Sequence, residues 1–239
     1  MNDLLQKVLD AYGGLDRWNT FSKLDVKSET GGPFWFTHGI LESHACSNVT
    51  IKAHEEWTSI YPYDAPDHRM IFVPDRVVIE NNDHQVIAQL DHPRAAFDGY
   101  GEYSYWDVVH QAYFNGYALW TYLAAPFSLA LPGVKVKEVA PWHEDGEVWR
   151  VLNVVFPPTI ASHSAEQNFY FGPDYLLRRQ DYHIDVSVDT PVAHYVSDFV
   201  EVQGIKFPTR RHAYLRTADD LPDRNALLVW IRFNDFRLS

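Results

Sequence analysis

The sequence predicts a mainly β fold of the α+β type, in which an antiparallel meander of strands is accompanied by a few helices. Three observations carry that expectation. From Leu24 onward, short runs rich in Val, Ile, Phe, Tyr and Trp recur down the chain, the composition of half-buried strands. Tight turn sequences such as Asp145-Gly146 and Gln203-Gly204 separate the runs, and reversals that short join antiparallel neighbours, not parallel ones. One long segment, from Trp106 to Leu123, keeps helical spacing of its apolar residues instead.

The elements follow in order. Leu4, Leu5, Val8, Leu9 and Tyr12 form one helical stripe, and Gly13-Gly14 supplies its stop. Leu15 and Trp18 continue the apolar surface into a second short turn. Asn81-Asn82-Asp83 separates the strands Arg76–Glu80 and Gln85–Leu90. Ser104-Tyr105-Trp106-Asp107 reads as a capping box with Asp in place of the usual Glu or Gln. It opens the long helix, on which Trp106, Val109, His110, Tyr113, Tyr117, Trp120 and Leu123 recur and which Pro126 ends. Aromatic residues on almost every face predict burial of this helix against the sheet. Asp145-Gly146 then joins Lys135–Trp142 to Glu147–Phe156, and Gly172-Pro173-Asp174 joins Gln167–Phe171 to Leu176–Val188. Asp189-Thr190-Pro191 and Gln203-Gly204 lead into Ala193–Val202 and Ile205–Arg216, and a polar loop, Ala218 to Arg224, precedes the last strand, Ala226–Leu238.

Composition bounds the function. The 239 residues are 46% apolar and 22% charged, enough for one sizeable core, so a single domain over 1–239 is expected. The net charge of −12 repels phosphate backbones and anionic lipid, which removes nucleic acid from the expected partners. The single Cys46 excludes an intramolecular disulfide and a multi-cysteine zinc site. The longest apolar stretch, Leu119 to Leu131, is broken by Thr121, Pro126 and Ser128, so no integral membrane segment is expected. The opening residues are acidic and lack an apolar run, from which a cytoplasmic location is expected. No GxSxG, HExxH or phosphate-loop motif occurs, and Gly99-Tyr100-Gly101 lacks the rest of a dinucleotide fingerprint, so no cofactor is expected.

Three stretches carry a family likeness. Ala11-Tyr12-Gly13-Gly14-Leu15-Asp16-Arg17-Trp18, the stretch from Asn168 through Phe171-Gly172-Pro173-Asp174 to Arg179, and Gly204-Ile205-Lys206-Phe207-Pro208-Thr209-Arg210 resemble segments of the lipoprotein-carrier (LolA/LolB-like) half-barrels. The resemblance implies a strongly curved antiparallel sheet, an unclosed barrel whose mouth is covered by helices, with an apolar cavity between. The same architecture resembles that of a cytoplasmic, cofactor-free enzyme of violacein biosynthesis. None of the three stretches is a catalytic motif.

Within such a frame the aromatic helix supplies the first candidate site. His110, Tyr113, Tyr117, Trp120 and Tyr122 are expected to project into the concavity, with His110 as an acid/base group because an imidazole titrates near neutrality. His163, Gln167 and Tyr170, with Arg179 and Arg210 on neighbouring strands, form the second. There His163 would act as acid or base and an inward Arg would hold a carboxylate bidentately. Tyr182 and Tyr195, on the apolar face of the Asp189 hairpin, are expected to add to the ligand wall. A third arrangement puts His183 and His194 with Asp181, Asp185 and Asp198 on one strand face, a donor set for zinc or iron. The plainer expectation is that this face is solvated and that no metal is bound.

The function expected first is therefore binding of a hydrophobic or aromatic small molecule between sheet and helix. A cofactor-independent enzyme acting on an aromatic or polyketide-like substrate by His acid/base chemistry is the alternative, and a His/Asp metal-dependent enzyme a further one.

Overall fold

A computed structural model describes residues 2–40 and 46–239. Its strands are β1 (Lys23–Gly31), β2 (Ser47–Lys52), β3 (Thr58–Tyr61), β4 (Arg69–Val73), β5 (Arg76–Glu80), β6 (Val86–Asp91), β7 (Lys135–Glu144), β8 (Glu147–Val155), β9 (Glu166–Phe171), β10 (Leu177–Ile184), β11 (Thr190–Val202), β12 (Ile205–Arg216) and β13 (Pro222–Leu238). Strands adjacent in sequence pair antiparallel, as short reversals require, except β6 and β7, and β1 pairs with β13 to join the two halves. The order is β6-β5-β4-β3-β2-β1-β13-β12-β11-β10-β9-β8-β7, so β6 and β7 are free edges and the curved sheet is an unclosed barrel.

The segment between those edges crosses the concave face. It carries α4 (Val108–Ala124); the shorter helices are α1 (Asp3–Ala11), α2 (Leu15–Trp18) and α3 (Pro33–Thr37). Fourteen of the seventeen residues of α4 are buried, as its aromatic faces led one to expect. Gly116 permits the close approach: a Cβ there would lie 2.3 Å from the Phe72 ring on β4, and the Thr58 hydroxyl of β3 donates to the Gly116 carbonyl at 2.9 Å.

Local chemistry settles two helix ends. Asn2 caps α1 by accepting from the Leu5 N–H. Asp107 is itself the N-cap of α4, accepting from Val109 and His110, while the Ser104 hydroxyl accepts from Gly101. The expected capping box is thus displaced by three residues. Asp145 and Gly146 lie at φ 52° and 78°, the left-handed pair that a two-residue hairpin demands.

The next expectation is corrected. β10 ends at Ile184 rather than Val188, the turn occupies residues 185–189, and Ile184 pairs with Thr190. His194 therefore faces Gln180, not Asp185, and sits on the inner face with Tyr182, whereas His183 points outward with Arg179 and Asp181. Side chains alternate with period two, so a shift of register by an odd number of residues, from Asp185 to Gln180 opposite His194, transfers His194 to the other side of the sheet. The expected metal donor set is divided between two faces.

Candidate functional site

The helix α4 has two inward faces of different character. Tyr113 packs on Phe72 and Phe97, and the Trp120 indole donates to the Lys52 carbonyl at 3.0 Å, so the bulkiest aromatics fill the space against β2–β5. The adjoining stripe is Gln111, Phe114, Asn115, Ala118, Leu119 and Tyr122, and it faces open space. A cavity of about 620 Å³ lies there, closed on the sheet side by Ile60, Val192, Ala213 and Ile231 among others. Ala118 on the helix and Ala213 on β12 are the small residues that leave room. Exposed Tyr105 and Asp64 stand at its mouth, Tyr105 lying directly against Gly39.

One end of the cavity is polar, and its polar groups satisfy one another. Tyr117 Oη lies 3.3 Å from His163 Nδ1, and His163 Nε2 lies 2.6 Å from Tyr122 Oη. Tyr122 Oη is 2.9 Å from Tyr182 Oη, which is 3.0 Å from His194 Nδ1. If Tyr117 donates first, each link passes a donor to the next, and His194 Nε2–H is left over beside the cavity. Burial holds every member neutral. It pulls the His163 imidazole down to about 3, with the Arg94 charge adding to the effect, and drives His194 well below its usual value with help from Arg211. It pushes the Tyr117, Tyr122 and Tyr182 hydroxyls up.

Arg211 lies behind this floor, against Tyr122, and does not itself line the cavity. It is fully buried on the inner face of β12, its Nη2 donates to the Tyr122 carbonyl at 2.8 Å, and its guanidinium lies 4.6 Å from the Tyr122 ring centroid. Burial pulls its pKa down to about 10.

The structure distributes the sequence-predicted residues as follows. His163 and Tyr182 line the cavity, and Tyr117 stands behind His163. The expected placement of Tyr113, Trp120 and His110 on the cavity is corrected. Tyr113 and Trp120 pack against strands, and His110 is tied to Asp107 at 2.7 Å and Tyr100 at 3.1 Å on the far side of Phe97. Gln167 faces inward but is bonded to Ser164 and Gln180.

Arg179, Tyr170 and Tyr195 are on the outer face, another correction. Arg179 donates all five of its N–H groups, to both oxygens of Asp181, to Glu144, to Tyr195 and to the Asp220 carbonyl, within rings of Trp142, Tyr170 and Tyr195. A bulge between Leu177 and Arg179 explains the change of face: Leu177 pairs with Phe171, but Arg179 pairs with Tyr170. Arg210 is half-exposed on the outer face, paired with Asp198 at 2.9 Å. His183 bonds Arg216 at 2.9 Å and faces Asp189. Among the described residues no three metal-ligating side chains converge.

The residues that sequence reasoning passed over are Phe114, Ala118, Leu119 and Arg211. The signal for the first three was available as the i, i+3, i+4, i+7, i+8 stripe beginning at Gln111. For Arg211 it was parity along β12, where Ile205 and Phe207 mark the inner face.

No protein-family model and no curated protein sequence matches the chain. Solved structures do. The chain is similar to a LolA superfamily protein from Nitrosomonas europaea, with 11% identity, a TM-score of 0.54 and coverage of 98% of this chain and 92% of that one. It is similar to a DUF1329 family protein from Desulfovibrio piger, with 11% identity, a TM-score of 0.54 and coverage of 100% and 94%. It is also similar to a domain named for outer membrane lipoprotein sorting from Vibrio parahaemolyticus, with 9% identity, a TM-score of 0.54 and coverage of 99% and 91%. At these identities the likeness is one of fold, a LolA-like half-barrel.

The cytoplasmic location expected from the first residues is corrected by this likeness, since the fold recurs in a domain named for work at the outer membrane. A leader is cut from a mature chain, so acidic opening residues carry no information about location. No helix among the described residues is long and apolar enough to cross a membrane.

Proposed function

We propose that the protein binds one hydrophobic or aromatic small molecule in the cavity between α4 and the concave sheet. The observation that carries this reading is the cavity itself. Its volume of about 620 Å³ lies within the range of small-molecule sites, its walls are mostly aliphatic and aromatic, and a hydrogen-bonded cluster of His163, Tyr122, Tyr182 and His194 forms one polar floor. The fold shared with a LolA superfamily protein supports it, because a half-barrel covered by a helix is a natural enclosure for an apolar guest. One sheet whose first and last strands pair runs through the chain, so 1–239 is proposed to act as one unit.

A cofactor-free acid–base enzyme of the kind suggested by the violacein likeness is the second reading, and the Tyr–His chain at the cavity floor favours it. The His163 environment weighs against it. Both ring nitrogens are engaged by tyrosines, and a pKa of about 3 makes the imidazole a weak base.

The test is titration with Nile red, a neutral apolar dye. The wild-type protein is expected to enhance its fluorescence saturably with one dye per chain. Ala118→Trp, which fills the cavity from the helix side, is expected to abolish the enhancement while melting cooperatively. Equal enhancement by a folded Ala118→Trp variant would place the dye elsewhere and remove the cavity from the functional account.

A further inference from the structure

Arg211 is a buried cation that the fold leaves without a counter-charge. The ladder sets it beside Val196 of β11 and Ile231 of β13, two residues before Ala213, so two of its neighbours, Ile231 and Ala213, are cavity wall while Arg211 lies just behind that wall. Its one hydrogen bond goes to the Tyr122 carbonyl, and its Nε and Nη1 are buried without a partner. Among the described residues no carboxylate pairs with it. The titratable groups around it are the phenols of Tyr12, Tyr122 and Tyr182 and the imidazole of His194.

The contrast with Arg179 shows what this chain does with a buried guanidinium that only holds structure: two carboxylates, a phenol and a carbonyl consume every donor. A buried cation with no such partners is among the least favourable features a fold can retain, and apolar replacement would serve packing better. Arg211 stands behind the polar end of the cavity, against the Tyr122 ring and near His194, whose Nε2 has no partner among the described residues.

We propose that the ligand carries an acidic headgroup, a carboxylate or similar monoanion, on its apolar body, and that Arg211 is the counter-charge to it. His194 Nε2–H supplies the hydrogen bond and Arg211 the positive potential behind it, undiminished by water in this enclosed floor. The order of donors that begins at Tyr117 is the one that leaves this N–H facing the acid, and a bound acid would select it over the reverse order. This inference rests on the binding reading above and adds the chemical class of the guest.

The experiment displaces Nile red from the wild-type protein with two matched pairs, dodecanoate against 1-dodecanol and 2-naphthoate against 2-naphthol, above neutral pH. The acid is expected to displace the dye at a concentration at least tenfold below its alcohol in one pair or both. The pair that does so identifies a lipid-like or an aromatic body. Arg211→Met is expected to erase that preference and leave the alcohols unmoved, and Arg211→Lys to keep part of it. Parity of acid and alcohol in the wild type, which needs no variant to fold, overturns the headgroup and leaves the binding reading standing. So does an acid preference that survives in a folded Arg211→Met protein. Failure of Nile red itself to bind removes both readings together.

Discussion

Replacing Arg211 by Met should make the ligand-free protein more stable, an unusual direction for a fully buried residue. The magnitude follows from three terms. Burial lowers the arginine from its usual value to about 10, which at about 1.36 kcal/mol per unit corresponds to a penalty of ~3 kcal/mol for keeping the charge in the fold. Met removes that penalty and fills similar apolar volume. Against it stands the lost bond to the Tyr122 carbonyl, worth about 1 kcal/mol. That carbonyl lies in the last turn of α4, where a cation adds a further ~0.3–1 kcal/mol through the helix dipole. The balance is a gain of roughly 1–2 kcal/mol, and for a chain of this length a rise in Tm of about 2–8 °C. Urea unfolding of the two proteins under identical conditions, with m compared as well as midpoint, measures it. A loss of more than ~1 kcal/mol with unchanged m would show that the fold itself compensates this cation, and the reasoning from an unanswered charge would fail.

Three more outcomes are expected. Stability should fall on acidification from about pH 6 towards 4, because the unfolded chain protonates His163 near its usual 6.5 while the folded chain resists to about 3. The slope is ~1.4 kcal/mol per pH unit per histidine, and His163→Gln should flatten it in urea titrations at stepped pH. Arg179→Met should cost about 3–5 kcal/mol in unfolding free energy, since it takes the bidentate partner from buried Asp181 and a second cation from Glu144, yet leave Nile red affinity unchanged because these groups are on the outer face. Gly116→Ala should destabilise by roughly 1–3 kcal/mol despite the better helix propensity of alanine, through its clash with the Phe72 ring. Phe72→Leu in the same chain should recover part of the loss in thermal melts.

The sequence made legible what local chemistry controls. Asp145-Gly146 demanded a left-handed pair and turned where expected, and the aromatic segment ended before Pro126 as a buried helix. What it concealed depends on register and on packing between distant strands. Arg179 changed face because of a bulge that nothing in Leu177-Arg178-Arg179 announces. His194 changed face because the turn after Ile184 is longer than the shortest hairpin. A cavity between helix and sheet was expected, but its lining escaped for a different reason: Tyr113, Tyr117 and Trp120 were the conspicuous side chains, and conspicuous bulk fills space. The void lies along the smaller stripe, opposite Ala118, where sequence reading looks for nothing. Arg210 and Arg211 differ only in parity, and alternation from Ile205 and Phe207 could have chosen between them.

The most direct test of the account is to see a guest in the cavity. Crystals soaked with 2-bromonaphthalene should show a bromine anomalous peak between Phe114 and Ala118 of α4 and Val192 and Ile231 of the sheet, with the ring clear of the Tyr182–His194 floor. Bromine located only outside that space, with the cavity unchanged, would contradict the claim that it is the binding site.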